Sequence, residues 1–202
     1  VRAEKTHNPD MAIDYYGRAL LLLADKAHEV EWQLRLQERL GHLLLQRSRL
    51  VEAAQTYMTM RYTAEIDGDL SMQAHAWNGL ARVQQEQADY PAMLASATQA
   101  EQVAWLVSAE PELARAFLLK ANACLQTGQL VPARENSQQA LEIGRRNNAR
   151  RRQAEALDLL CQIAIKEERP DEAAALLQQL AALQPTGEAL DSDDKIRLAH
   201  IK

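Results

Sequence analysis

Apolar residues along this chain recur at steps of three and four and rarely alternate, so the pattern predicts helices and no strand. Four similar segments can be superimposed. Their small residues are Gly41, Ala81, Ala121 and Cys161, spaced 40 apart. Four residues upstream lie Gln37, Trp77, Phe117 and Leu157, and three downstream lie Leu44, Gln84, Cys124 and Ala164. After a turn containing Ser48, Ala88, Gly128 or Glu168, a second stripe carries Ala53, Met93, Ala133 and Ala173. It continues with Tyr57, Ala97, Ser137 and Leu177, then Met60, Ala100, Ala140 and Leu180. A small residue beside a large one lets two helices approach closely. Gln37, Gln84 and Lys120 interrupt the stripes.

The register predicts first helices near 30–47, 70–87, 111–127 and 149–167, second helices near 50–66, 90–107, 130–146 and 170–183, and a leading helix over 10–27. Pro91, Pro132 and Pro170 fall where second helices begin and Pro111 where a first helix begins. A first turn tolerates proline because its missing N–H would have no intrahelical partner there. Asp67-Gly68-Asp69 reads as a helix stop followed by a cap for the next helix. Trp77 is expected to be buried between its own pair and the neighbouring repeat.

Trp77…Leu80-Ala81…Tyr90…Met93…Ala97…Ala100 resembles one copy of the tetratricopeptide repeat, and Asp10-Met11-Ala12-Ile13-Asp14-Tyr15-Tyr16-Gly17-Arg18-Ala19-Leu20 resembles the second half of another. The likeness runs from Pro9 to Leu183. It implies an all-α fold: a right-handed α–α superhelix of about four helix pairs plus a leading helix. The repeat is 40 residues long, against the usual length of about 34. Such longer repeats resemble the arrays of large bacterial signalling proteins: nucleotide cyclases, signal-transduction ATPases and regulators like the maltose-regulon activator. The expected organisation is one repeat domain over 1–190, with repeats near 30–68, 69–109, 110–148 and 149–184. Residues 191–202 form a tail or capping helix.

Composition agrees with this reading. Hydrophobic residues make up 47%, too many for a disordered chain, and Gly and Pro number only 7 and 6. The net charge of −5 lacks the basic excess of a nucleic-acid binder. No apolar run approaches the roughly 20 residues that span a bilayer. No signal peptide is visible, and the chain begins at Val1, as a piece of a longer protein would. Cys124 and Cys161 fall on apolar helix positions, as small core residues of a reducing compartment do, so the expected location is cytoplasmic.

Candidate chemistry is sparse. There is no Gly-rich phosphate loop, no Cys-x-x-Cys or His-Glu-x-x-His spacing and no Gly-x-Ser-x-Gly elbow. The expectation is therefore no catalytic residue, no metal and no cofactor. His7, His28, His42, His75 and His200 are scattered, and Glu167-Glu168 and Asp193-Asp194 sit at turns or in the tail. One charge cluster, Arg145, Arg146, Arg150, Arg151 and Arg152, surrounds Asn147-Asn148. Arg145 and Arg146 suit a helix C-terminus. Arg150 to Arg152 open the next helix, where the dipole disfavours cations, so the cluster is a candidate patch for an anion or acidic partner.

The resemblance places first helices on the concave surface, where partners bind. The 40-residue register reads three exposed rows there: His42, Arg82, Asn122 and Gln162; Glu38, Asn78, Leu118 and Asp158; Arg35, His75, Arg115 and Glu155. The first three repeats give a basic, amide-rich lining and the fourth turns acidic. The candidate contact set is Arg35, His42, His75, Asn78, Arg82, Arg115 and Asn122. An ordinary solvated helix face would look similar. The expected function is a protein-interaction or regulatory scaffold that binds a protein or peptide, acidic in character, beside other domains of the same polypeptide. Neither nucleic acid nor membrane is an expected partner. The alternative is a ligand-sensing domain controlling an attached cyclase, ATPase or transcription-factor domain. An enzyme is the third reading, disfavoured because repeats build a groove without a closed pocket.

Overall fold

The computed structural model describes residues 9–23 and 26–183. Among these, nine α-helices follow one another without a strand: α1 (Pro9–Leu23), α2 (Val30–Gln46), α3 (Leu50–Asp67), α4 (Leu70–Glu86), α5 (Tyr90–Leu106), α6 (Glu110–Gln126), α7 (Leu130–Arg146), α8 (Arg150–Lys166) and α9 (Pro170–Leu183). From Val30 onward every helix begins 20 residues after the one before. The 40-residue sequence repeat is thus two equal half-steps.

The half-step is enforced at the turns. Ser48, Gly68, Ala88, Ser108, Gly128, Asn148 and Glu168 all take positive φ. In each turn the N–H of the following residue reaches back to a carbonyl of the last helical turn, as Arg49 does to Leu44 at 2.9 Å and Ala109 to Ala104 at 2.9 Å. This left-handed cap with its long back-bond closes one helix and aims the chain into the next. Asp69 and Asp89 add side-chain caps, accepting from Met72 and Ala92 at 2.9 and 3.1 Å.

First helices α2, α4, α6 and α8 touch both their own second helix and a neighbouring first helix, whereas second helices pack chiefly on first helices. The layer whose members touch is the inner one, so α2, α4, α6 and α8 line the concave side. The core lies between the layers in four clusters of buried residues. Ala53, Met60, Met93, Ala97, Ala100, Ala133 and Ala140 are fully buried along the second helices.

Two sequence readings of the fold change. The leading helix is described through Leu23, and a 3-10 turn over Ala27–Glu29 takes up Ala27, the last residue assigned to that helix. Trp77 is half-buried, with Arg61 stacked 5.1 Å from its ring centroid, because Tyr57 fills the deep position between the layers. Lys120 breaks its stripe in order to pair with Glu101 on α5 at 2.6 Å. The expected tail or capping helix at 191–202 lies outside the described residues.

Candidate concave-face site

The inner helices carry a linked set of charges. Glu112, in the first turn of α6, is 8% exposed. Its carboxylate accepts from Asn78 Nδ2 at 2.9 Å and lies 3.1 Å from His75 Nδ1 and 3.5 Å from Arg115 Nη1. Asn78 Nδ2 also donates to the Glu112 main-chain carbonyl at 3.0 Å. The other nitrogen of His75, Nε2, stands 3.4 Å from Glu38 on α2. Glu38, His75 and Glu112 therefore tie together three inner helices of successive repeats. Burial alone would push the Glu112 carboxyl up. The His75 hydrogen bond, the Arg115 charge and the Asn78 amide outweigh it and hold the group at about 2.

Beyond this knot the surface is basic. Arg82, one turn after Asn78, is half-buried and makes no hydrogen bond or ion pair with the described residues. Burial lowers the Arg115 guanidinium, Glu112 opposes this, and Arg152 and Arg82 lower it further. His42 is likewise lowered by burial, then by Arg82, Arg151 and Arg115, with Glu38 opposing. Mutual repulsion of this kind marks a surface with more positive charge than its own carboxylates neutralise.

The expected contact residues divide. His75, Asn78 and Arg115 meet around Glu112, and His42 and Arg82 share their electrostatic field. Arg35 is held apart by Glu31 on its own helix at 2.7 Å, and Asn122 accepts from Gln126 one turn on at 3.4 Å. Asn78 and Leu118, read as exposed, are buried at 0% and 7%. Their row faces the neighbouring inner helix, because adjacent repeats close over it; Asn78 can support the site but cannot meet a partner. The lining is also less purely basic than its rows suggested, since Glu112 neutralises part of it.

The arginine cluster does not form one patch. Arg145 reaches Gln179 on α9 at 2.9 Å, Arg146 pairs with Glu110 on α6, and Arg151 and Arg152 both hold Glu155, at 3.0 and 2.6 Å. The Glu155 pair accounts for cations at a helix start. Burial raises the Glu155 carboxyl, and Arg152 and Arg151 bring it below its ordinary value. Arg150 alone stays exposed with no partner among the described residues.

Sequence reasoning missed Glu112, although the Glu112–Arg115 spacing of three on one helix is the signal for such a pair. Among the described residues no group of His, Cys, Asp or Glu could hold a metal ion, and no helix is long and apolar enough to cross a membrane.

Similarity in three dimensions fits this geometry. BtubC (BKLC) from P. vanneervenii superimposes with a TM-score of 0.76 at 15% identity, covering 94% of this chain and 79% of that one. The nearly identical TPR-like repeats of a Podosopora anserina chain described as a kinesin light chain do so at 0.67 and 16%, covering 94% and 93%. A single-residue variant of that protein gives 0.70 and 16%, covering 92% and 91%. This chain has the tetratricopeptide-like repeat fold. It is a right-handed helical solenoid. No family model matches the sequence of this tetratricopeptide-like chain, and no curated protein matches it.

Proposed function

We propose that the chain is a protein-interaction module whose concave groove holds an acidic peptide segment against Arg82, Arg115 and His42. The observation that carries this reading is the unpaired, half-buried Arg82 beside Arg115, on a surface where cations repel one another. A guanidinium fork matches a carboxylate in geometry and charge. Glu112 and His75 lie against Arg115, and Asn78 in turn fixes Glu112. No catalytic role is proposed. The 40-residue repeat and its long helices favour a place within a larger bacterial signalling protein, in the cytoplasm and beside other domains.

The test is binding of acidic peptides to the isolated chain. Affinity should fall steeply between about 50 and 300 mM salt, as screening of partly exposed pairs requires. Replacing Arg82 and Arg115 together by Ala should weaken binding about tenfold or more while helix content is retained. Unchanged affinity in the folded double variant would move the site elsewhere.

A further inference from the structure

We infer that the Tyr57 hydroxyl is a contact group of the groove, donating a hydrogen bond to a carboxylate seated between Arg82 and Arg115. This rests on the groove being the acidic-segment site. Tyr57 belongs to α3, an outer helix, so its place in the sequence gives no hint of a concave role. The ring passes inward through a gap between two glycines. A β-carbon at Gly41 would stand 2.7 Å from Tyr57 Cζ, and one at Gly79 would fall against the Cδ1–Cε1 edge. The gap is particular to this repeat. One repeat on, Ala97 stands where Tyr57 does and Leu119 where Gly79 does, and those two pack in one cluster that fills the space. The next pair, Ser137 and Leu159, follows the same exchange of sizes.

The hydroxyl has no hydrogen-bond partner among the described residues. It is not among the polar atoms sealed from solvent, unlike the oxygens of Asn78 and Gln37, so the 2% of Tyr57 left exposed includes this tip. The charges acting on it belong to inner helices: Arg82, Arg115 and Glu38. Burial pushes the phenol up to about 12, against the lowering by the two arginines, so it remains a neutral O–H donor at physiological pH. A hydroxyl at the groove surface without an internal partner is free to donate to an arriving carboxylate, and the charges of Arg82 and Arg115 bring one there.

The experiment uses the whole chain and a fluorescein-labelled peptide of six glutamates, capped at both ends, followed by anisotropy at low salt. Tyr57→Phe keeps the ring in its gap, so its melting temperature should match the parent. Its affinity should fall about tenfold, as for loss of one hydrogen bond to a charged group. If Tyr57→Phe binds like the parent while Arg82→Ala/Arg115→Ala binds weakly, the Tyr57 inference is overturned and the groove reading stands. If the parent chain does not bind the peptide, the groove reading fails and this inference with it. A melting temperature several degrees lower for Tyr57→Phe would show that the hydroxyl is bonded within the fold, which also overturns it.

Discussion

Tyr57 is held on both sides by backbone, because Gly41 and Gly79 present no side chain to its ring. Overpacking a rigid buried ring forces shifts that cost roughly 1–3 kcal/mol. Gly79→Ala should therefore lose about 2 kcal/mol in urea denaturation, although alanine is the better helix former. Gly17→Ala, where nothing lies within 4 Å, should instead gain about 0.5–1 kcal/mol. Glu112 gives a second test at this scale. Its folded value of about 2 lies below the ordinary 4.5. The group thus contributes stability that is fully present above about 4.5 and is lost as the pH falls toward 2. The contribution is on the order of 3 kcal/mol. Glu112→Gln should lower stability at pH 7 and flatten the pH dependence between about 5 and 2. A variant with the parent's acid sensitivity would mean that other carboxylates carry it.

At the scale of the element, the turns decide the geometry more than the helices do. Seven turns share one left-handed cap, yet only Gly68 and Gly128 are glycines. Ser48, Ala88, Ser108, Asn148 and Glu168 hold the same conformation against the steric cost of a β-carbon. Ala88 has φ of 55° and no polar side chain to compensate. Ala88→Gly should raise stability by about 0.5–1 kcal/mol, and Gly128→Ala should lower it by about 1 kcal/mol. Opposite shifts of the urea midpoint check both. The proline and Asp-Gly-Asp signals gave five helix starts to within a residue or two: Leu70, Tyr90, Glu110, Leu130 and Pro170. The register already put starts near 30, 50, 70, 90, 111, 130, 149 and 170, so the half-step was legible; the left-handed cap at Ala88 or Glu168 was not, because neither residue carries a turn signature.

At the scale of the molecule, stacking brings first helices side by side and sums their charges into one field. His42 is exposed on its own helix, where Gln46 lies within hydrogen-bond distance at 3.1 Å. Its titration is nonetheless set first by burial and then by Arg82 on α4, Arg151 on α8 and Arg115 on α6. A bound carboxylate would offset that repulsion and raise the imidazole, so binding takes up a proton. Affinity for an acidic peptide should rise as the pH falls below His42's ordinary 6.5, and His42→Ala should remove the rise. Titration calorimetry in buffers of different ionisation enthalpy would detect the proton. Equal heats would assign the coupling to no group in the groove.

The sequence by itself determined the periodicity, the helix count over the described residues and the sides that face inward, because these follow from local steps of three and four and from turn residues. It also placed Arg82 and Arg115 on the inner face of consecutive first helices, in two of its three rows. Only the tertiary structure decided which row positions stay open. Asn78 and Leu118 occupy the same register as Glu38, yet they are closed over by the neighbouring repeat, while Glu38 reaches His75. Burial in a solenoid depends on the side chains of the next unit, which lie 40 residues away in the sequence and in contact in space. The same holds for Tyr57: a residue of the outer layer contributes to the inner surface because a glycine on the following helix leaves room for it.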